Sequence, residues 1–210
     1  MCKVLLADDH EVVRQGLKLL LAEEPHMAVG GEASTGHEVL ELVRQQAWDV
    51  VVLDITMPGK SGLDLLKELK HLRPNLAVLV LTMHQEDQYA DRMLKAGARG
   101  YLTKGSAGTE VVKAIRTVCA GGVYVSDFLA GKLAVAGALD VHESPHESLS
   151  DREFQVLTMI ASGKTATEIA EELSLSVKTV STYRTRILEK MRMHTSAELT
   201  HYAISKKLVD

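Results

Sequence analysis

From its N-terminus to Gly122 the chain alternates short, continuous apolar runs with stretches where apolar residues recur every three or four positions. Lys3–Ala7, Asp49–Asp54, Leu76–Thr82 and Gly100–Thr103 read as strands, and Met27–Ala33 as a further β-rich run. Between them, Val12, Val13, Leu17, Leu20 and Leu21 carry helical spacing, as does the stretch from His37 to Gln45. Leu63, Leu66, Leu69 and Leu72 predict another helix, followed by Gln88–Lys95 ending at Gly97 and Ala107–Ala120 stopped by Gly121 and Gly122. Five β-then-α units with fully apolar strands predict a parallel sheet covered on both faces, a doubly wound α/β fold.

The pattern then changes. Ser126–Leu139 is small and helix-compatible, whereas Asp140–Ser148 is polar, holds Pro145 and lacks apolar periodicity, so it reads as a linker. Beyond it only helices follow. Ser150-Asp-Arg-Glu153 is a capping box opening a helix through Phe154, Val156, Leu157 and Ile160, ended by Gly163. Thr165–Leu173 is a second helix, with Ile169, Ala170 and Leu173 apolar. Ser176 caps a third, whose inward stripe is Val177, Val180, Ile187 and Met191. Thr195-Ser-Ala-Glu198 is another capping box, starting a last helix through Leu199, Ala203 and Ile204. The division is therefore 1–122 for the α/β domain, 123–147 for a helix and flexible linker, and 148–210 for a small all-α four-helix module.

Composition narrows the classes. Hydrophobic residues are 46% of 210 and charged residues 25%, which excludes a disordered or fibrous chain. No apolar run is long enough to span a bilayer, and no secretory leader opens the chain. From Ser148 onward nine basic residues face eight acidic ones, a net of +1, which leaves −5 for the preceding part of a chain of net charge −4. An acidic α/β domain is thus joined to a less acidic helical module. Cys2 and Cys119 stand apart in the sequence with no CxxC, and they read as separate reduced thiols of a cytoplasmic protein. His142 and His146 share helical spacing within the polar linker and read as solvated side chains. Neither GxGxxG nor GxxxxGK[ST] occurs, so nucleotide binding has no support.

In a doubly wound sheet, ligands bind at the carboxyl ends of the strands, where the chain order reverses. There the sequence sets Asp8 and Asp9 after the first strand, Asp54 after the third, Thr82 at the end of the fourth and Lys104 after the fifth. Carboxylates brought together repel unless a cation lies among them, and an all-oxygen set favours a hard divalent ion such as Mg²⁺. A carboxylate aimed into such a site can attack a phosphoryl group, with metal and lysine offsetting the charge on the transferring oxygens.

Asp8-Asp9, Asp54 followed by Met57-Pro58-Gly59 and Gly62, then Thr82, Tyr101 and Lys104, resemble the receiver domain of two-component response regulators. The resemblance covers residues 1–122 and implies a flavodoxin-like fold. It further implies that Asp54 is the phosphoacceptor, and that Asp8, Asp9, Asp54 and the backbone carbonyl of Thr56 hold Mg²⁺. Thr82 and Lys104 would contact the phosphoryl group, and Thr82 with Tyr101 would form the switch pair. On that reading neither Thr82 nor Lys104 is needed to hold the cation. Gly105 follows the lysine where the family often has Pro or Asp.

The short turn Ser174-Leu175 between the second and third helices of the module has helix-turn-helix spacing. Leu149–Glu153, Val156-Leu157, Ala161–Lys164, Glu168–Ala170, Leu173, Ser176, Lys178–Ser181 and Ile187–Lys190 are similar to the DNA-binding module of LuxR-type regulators. The whole chain then resembles the NarL/FixJ class of response regulators. The outward face of the third helix carries Lys178, Ser181, Thr182 and Thr185, flanked by Arg184 and Arg186. With Lys164 and Thr179 these are the candidate DNA contacts, short hydroxyls for base edges and cations for phosphates. Lys164-Thr-Ala-Thr167 stands where the family usually has Ser-Asn-Lys, and Tyr183 where it usually has His.

The implied function is a cytoplasmic transcription regulator with no membrane partner. A sensor histidine kinase would phosphorylate Asp54, the phosphorylated form would dimerise on double-stranded promoter DNA, and RNA polymerase is a possible further partner. Two alternatives compete with it. A magnesium-dependent aspartyl phosphohydrolase would need a general acid two residues after the nucleophile, where this chain has Thr56. A protein-interaction regulator would not bind duplex DNA at all.

Overall fold

The computed structural model describes residues 1–58, 60–83, 86–126, 129–130, 145–206 and 208–209. The chain forms two compact units, Met1–Val135 and Ala136–Asp210.

In the first unit the five apolar runs become strands β1 (Cys2–Ala7), β2 (Met27–Ala33), β3 (Val50–Leu53), β4 (Ala77–Thr82) and β5 (Gly100–Thr103). All neighbours pair in parallel, in the order β2-β1-β3-β4-β5. Every residue of β3 and β4 is buried, as expected of strands covered on both faces. The covering helices are α1 (Glu11–Ala22), α2 (Gly36–Gln45), α3 (Gly62–Leu72), α4 (Glu86–Lys95) and α5 (Ala107–Cys119). One core joins Val4, Leu6, Val50, Val52, Leu79 and Leu81 of the sheet to Leu17 and Leu21 of α1 and to Val111, Ala114, Ile115 and Val118 of α5. Not all of the apolar spacing in α1 marks burial. Leu17 and Leu21 face the sheet, whereas Val12 is 85% exposed, because a helix one layer thick has only one face against the strands.

The two cysteines are not separate thiols. Cys2 at the start of β1 and Cys119 at the end of α5 form a disulfide with Cα atoms 6.4 Å apart. The pair is 117 residues apart in sequence, and it forms because α5, packed on β3, β4, β5 and α1, ends beside the start of β1.

The second unit opens with a short 3₁₀ turn, Pro145–Ser148, and continues as α6 (Asp151–Ala161), α7 (Ala166–Glu172), α8 (Val177–Met191) and α9 (Ser196–Ser205). The expected capping box at Ser150 forms, with the Ser150 side chain accepting from the Glu153 N–H and Glu153 accepting from the Ser150 N–H at 2.8 Å. Thr165 and Glu168 make a second box at the start of α7. At α9 the reciprocal bond shifts by one residue: Glu198 accepts from the His194 N–H at 3.0 Å. Val180, Ile187 and Met191 of α8 are buried, but Val177 is 45% exposed because the first turn projects past the core. His146 is not a solvated side chain either. Its Nδ1 lies 2.8 Å from the Tyr202 hydroxyl and its ring packs near Phe154, so the turn is tied to α6 and α9. His142 and most of the helix-compatible stretch after Ser126 lie outside the described residues.

Candidate phosphoacceptor site and DNA-facing helix

The acidic cluster lies where β1 and β3 end side by side, at the point where the chain order turns back. Leu53 pairs with Ala7, and the Asp54 N–H donates to the Ala7 carbonyl at 2.8 Å, so the β-ladder itself sets the phosphoacceptor candidate next to Asp8. Asp8 and Asp54 are 2% and 1% exposed. Asp8 is fixed by its N–H on the Ala33 carbonyl at 3.1 Å and by Arg14, whose Nη1 donates to the Asp8 carbonyl at 2.6 Å. Glu32 in turn anchors Arg14 and Lys18, and Lys18 first among them holds the Glu32 carboxyl below its usual range.

On the far side, β5 ends at Thr103 and the Lys104 N–H donates to the Thr82 carbonyl at 2.7 Å. The Ser106 hydroxyl closes this turn on the Thr103 carbonyl at 3.0 Å. Gly105 leaves room for a Cβ, so its smallness is not what shapes the turn. The turn aims the Lys104 ammonium between two carboxylates, 2.7 Å from Asp54 Oδ2 and 2.7 Å from Asp8 Oδ2. Burial works against that charge, but the hydrogen bond to Asp54 and the charges of Asp54 and Asp8 outweigh it and hold the Lys104 pKa above the ordinary lysine value. The contact with Asp8 Oδ2 is an ion pair without hydrogen-bond alignment, which leaves this buried oxygen lone pairs for another cation.

Two residues join the site that strand-end reasoning did not supply. The Thr56 hydroxyl lies within 2.7 and 2.8 Å of the two Asp54 oxygens, and the Thr56 N–H donates to Oδ1 at 2.9 Å. Thr56 therefore touches Asp54 with its side chain, where only its carbonyl was expected to matter. His10 places Nδ1 2.8 Å from Asp9 Oδ1 and 3.2 Å from Asp8 Oδ1. One ligand atom each from Asp8, Asp9, His10 and Asp54 falls within 4.8 Å of the others. The oxygens suit a hard divalent cation. Thr82 and Tyr101 are both fully buried, in register-paired strands where Thr82 faces Thr103 and Tyr101 faces Val80.

Residues 4–116 match the response regulator receiver domain, and residues 147–203 match the bacterial regulatory proteins of the luxR family. The chain is 42% identical over 205 residues to the response regulator UvrY of Escherichia coli K12, covering 97% of this chain and 94% of that one. It is 42% identical over 211 residues to the response regulator GacA of Pseudomonas aeruginosa, covering 100% and 99%. The chain belongs to the LuxR family of response regulators. It is a DNA-binding two-component response regulator, with the five-stranded parallel receiver fold and a C-terminal helix-turn-helix domain. A solved structure of Salmonella enterica serovar Typhimurium RcsB, bound to the rprA promoter with the phosphomimetic BeF₃⁻, shares 27% identity at a TM-score of 0.65. It covers 96% of this regulator and 97% of that chain.

In the DNA-binding domain of this response regulator, α7, the turn at Ser174 (φ 52°) and α8 form the helix-turn-helix. Ser176 caps α8 by accepting from the Thr179 N–H at 3.0 Å, and its hydroxyl lies 2.8 Å from that of Thr179. Lys178, Ser181, Thr182, Arg184, Thr185 and Arg186 are exposed. The Ser181, Thr182 and Thr185 hydroxyls donate back to the carbonyls of Val177, Lys178 and Ser181 at 3.0, 3.0 and 3.2 Å. With their hydrogens so engaged, they turn acceptor lone pairs and, for the threonines, methyl groups outward. Arg184 reaches sideways to the Ser196 hydroxyl at 2.7 Å, and Lys164 is ion-paired with Glu172. Lys178, Thr182, Tyr183 and Arg186 instead surround a shallow depression of about 280 Å³.

The domain is braced from inside. Lys190 near the end of α8 donates to the buried Glu153 of α6 at 2.6 Å. Burial raises the Glu153 pKa, but Lys190 and Ser150 outweigh it and hold the carboxyl below its usual range. Among the described residues no helix is long and apolar enough to cross a membrane.

Proposed function

We propose that Asp54 is the phosphoacceptor of this regulator, that a sensor histidine kinase is the donor, and that phosphorylation drives homodimerisation on promoter DNA. The observation that carries the proposal is the convergence of Asp54, Asp8 and Lys104 within 2.7 Å contacts at the strand-order switch point. Asp8, Asp9, Asp54 and the Thr56 carbonyl would hold Mg²⁺, which supplies charge neutralisation when bound. Asp54 attacks as a carboxylate, oriented by the Thr56 hydroxyl and N–H. Lys104 exchanges its partner oxygens on Asp54 for those of the incoming phosphoryl group, and Thr82, with Tyr101 as its switch partner, completes the contact.

The receiver would comprise residues 1–122 and the DNA-binding domain residues 148–210, joined through 123–147. Lys164, Lys178, Arg184 and Arg186 would serve phosphates, while Thr179, Ser181, Thr182 and Thr185 approach base edges. The promoter-bound, phosphomimetic-loaded RcsB structure supports this direction of signalling. The protein would act in the cytoplasm, beside its DNA and RNA polymerase. Incubation with acetyl phosphate, with Mg²⁺ or with chelator, followed by mass spectrometry, tests the site. One phosphoryl group on Asp54, requiring Mg²⁺ and lost in Asp54→Asn, is the expected result; undiminished labelling of that variant overturns it.

A further inference from the structure

The acidic cluster occupies one end of the sheet, and the Cys2–Cys119 pair occupies the other. Both cysteines are half-buried and pack against the core that joins β1 to α5. The loop they close spans 117 residues and contains nearly every element of the receiver fold. Cys119 also borders an open cleft of about 610 Å³, whose wall includes Val43, Trp48, Arg73, Pro74 and Leu76. A space of that size accepts a small peptide, and Arg73 and Asp49 set one charge of each sign in its wall, suited to a zwitterionic one. Disulfides in a reducing, DNA-containing compartment are usually transient and redox-sensing rather than permanent staples.

We infer that Cys2 and Cys119 form a reversible thiol–disulfide site that exchanges with a low-molecular-weight couple of the glutathione class through this cleft. The inference rests on the cytoplasmic reading for its setting but not on the assignment of Asp54. In the forward direction the Cys119 thiolate attacks one sulfur of glutathione disulfide, forming a mixed disulfide and releasing one glutathione thiolate. The Cys2 thiolate then attacks the Cys119 sulfur, forming the protein disulfide and releasing the second glutathione. The two protons of the protein thiols end on the two released thiols, and two electrons pass from the protein to the glutathione disulfide. Oxidation ties the first residues of a central strand to the end of α5, remote from the phosphoacceptor chemistry. The oxidised receiver is therefore the more stable form, because the cross-link restricts the unfolded chain over a long loop.

The test equilibrates the full chain in glutathione buffers of graded ratio, then counts alkylated thiols by mass spectrometry and follows thermal unfolding. Both cysteines should pass together from fully alkylated to fully protected within the glutathione range, with the oxidised form melting roughly 10 °C higher. Cys2→Ser should trap a glutathionyl adduct on Cys119 in greater yield than Cys119→Ser traps one on Cys2, and both variants should lose the redox-dependent melting shift. Thiols that stay alkylatable in every buffer overturn the inference. So does a disulfide that survives the most reducing buffer, which would make it a permanent staple. Adducts favouring Cys2 would remove the role of the cleft.

Discussion

Replacing Lys104 by Met isolates the electrostatics of the proposed phosphoacceptor pocket. The ammonium lies 2.7 Å from a carboxylate oxygen of each of Asp8 and Asp54. The three side chains are only 9%, 3% and 0% exposed, so solvent screens the contacts little. Methionine keeps the length of the stem and removes the charge, which leaves two buried carboxylates facing each other. Breaking a buried pair by removing one partner costs about 3–5 kcal/mol. At about 2–4 °C per kcal/mol for a chain of this size, the variant in chelator should melt about 6–20 °C below wild type. Magnesium should reverse much of this loss, because a divalent ion can take the place of the missing ammonium. In wild type a bound ion would share Asp8 and Asp54 with Lys104. The rise in Tm on adding Mg²⁺ should accordingly be larger in the variant, and its Mg²⁺ affinity tighter, against the expectation that the lysine is irrelevant to the cation. Differential scanning fluorimetry over a Mg²⁺ series measures both quantities. Equal Mg²⁺-induced shifts in the two proteins would refute the reasoning, as would a chelated variant as stable as wild type.

Three further outcomes are expected. A Cβ on Gly62 would lie 2.3 Å from Ile55 Cβ and 2.5 Å from its Cα, so Gly62→Ala should push the loop behind Asp54. Stability should fall by about 1–3 kcal/mol and acetyl phosphate labelling should slow, read by melting and mass spectrometry; unchanged labelling would show that this contact does not position the nucleophile. Glu153 has a depressed pKa in the folded domain, so its contribution is present above its unfolded value of 4.5 and is lost as pH falls through the folded one. Removing its partner in Lys190→Met should move the acid-unfolding midpoint of the helical domain to higher pH, followed by circular dichroism. On DNA, Arg186→Ala should weaken all sequences alike and lower the salt slope by about one, whereas Thr182→Ala should relax one base preference by roughly 1–3 kcal/mol with the slope unchanged. Titrations of operator and scrambled duplex at several salt concentrations would expose the reverse pattern, which would place α8 differently in the groove.

Much of this protein was determined locally. The fully apolar runs from Val50 to Leu53 and from Ala77 to Leu81 admit little but buried parallel strands, and the helical spacing between them leaves a doubly wound sheet as the economical solution. Ser150 with Glu153, and Ser176 before Val177, announce helix starts because capping is a contact over three residues. Asp8, Asp54, Thr82 and Lys104 could be placed on one rim for the same reason: each ends or follows a strand, and parallel strands share a direction. Contacts between side chains distant in sequence were decided by the tertiary structure. The bond of the Thr56 hydroxyl to Asp54 depends on how the loop after β3 curls back, which no periodicity records. His146 meets Tyr202 only because α9 returns beside the opening turn. Cys2 and Cys119 become partners only when the end of α5 arrives beside the start of β1, since a covalent pairing over 117 residues leaves no local trace in either flank. Exposure of Val12 and Val177 was settled in the same way, because helical spacing marks an apolar stripe while the neighbouring layer decides how much of it is covered.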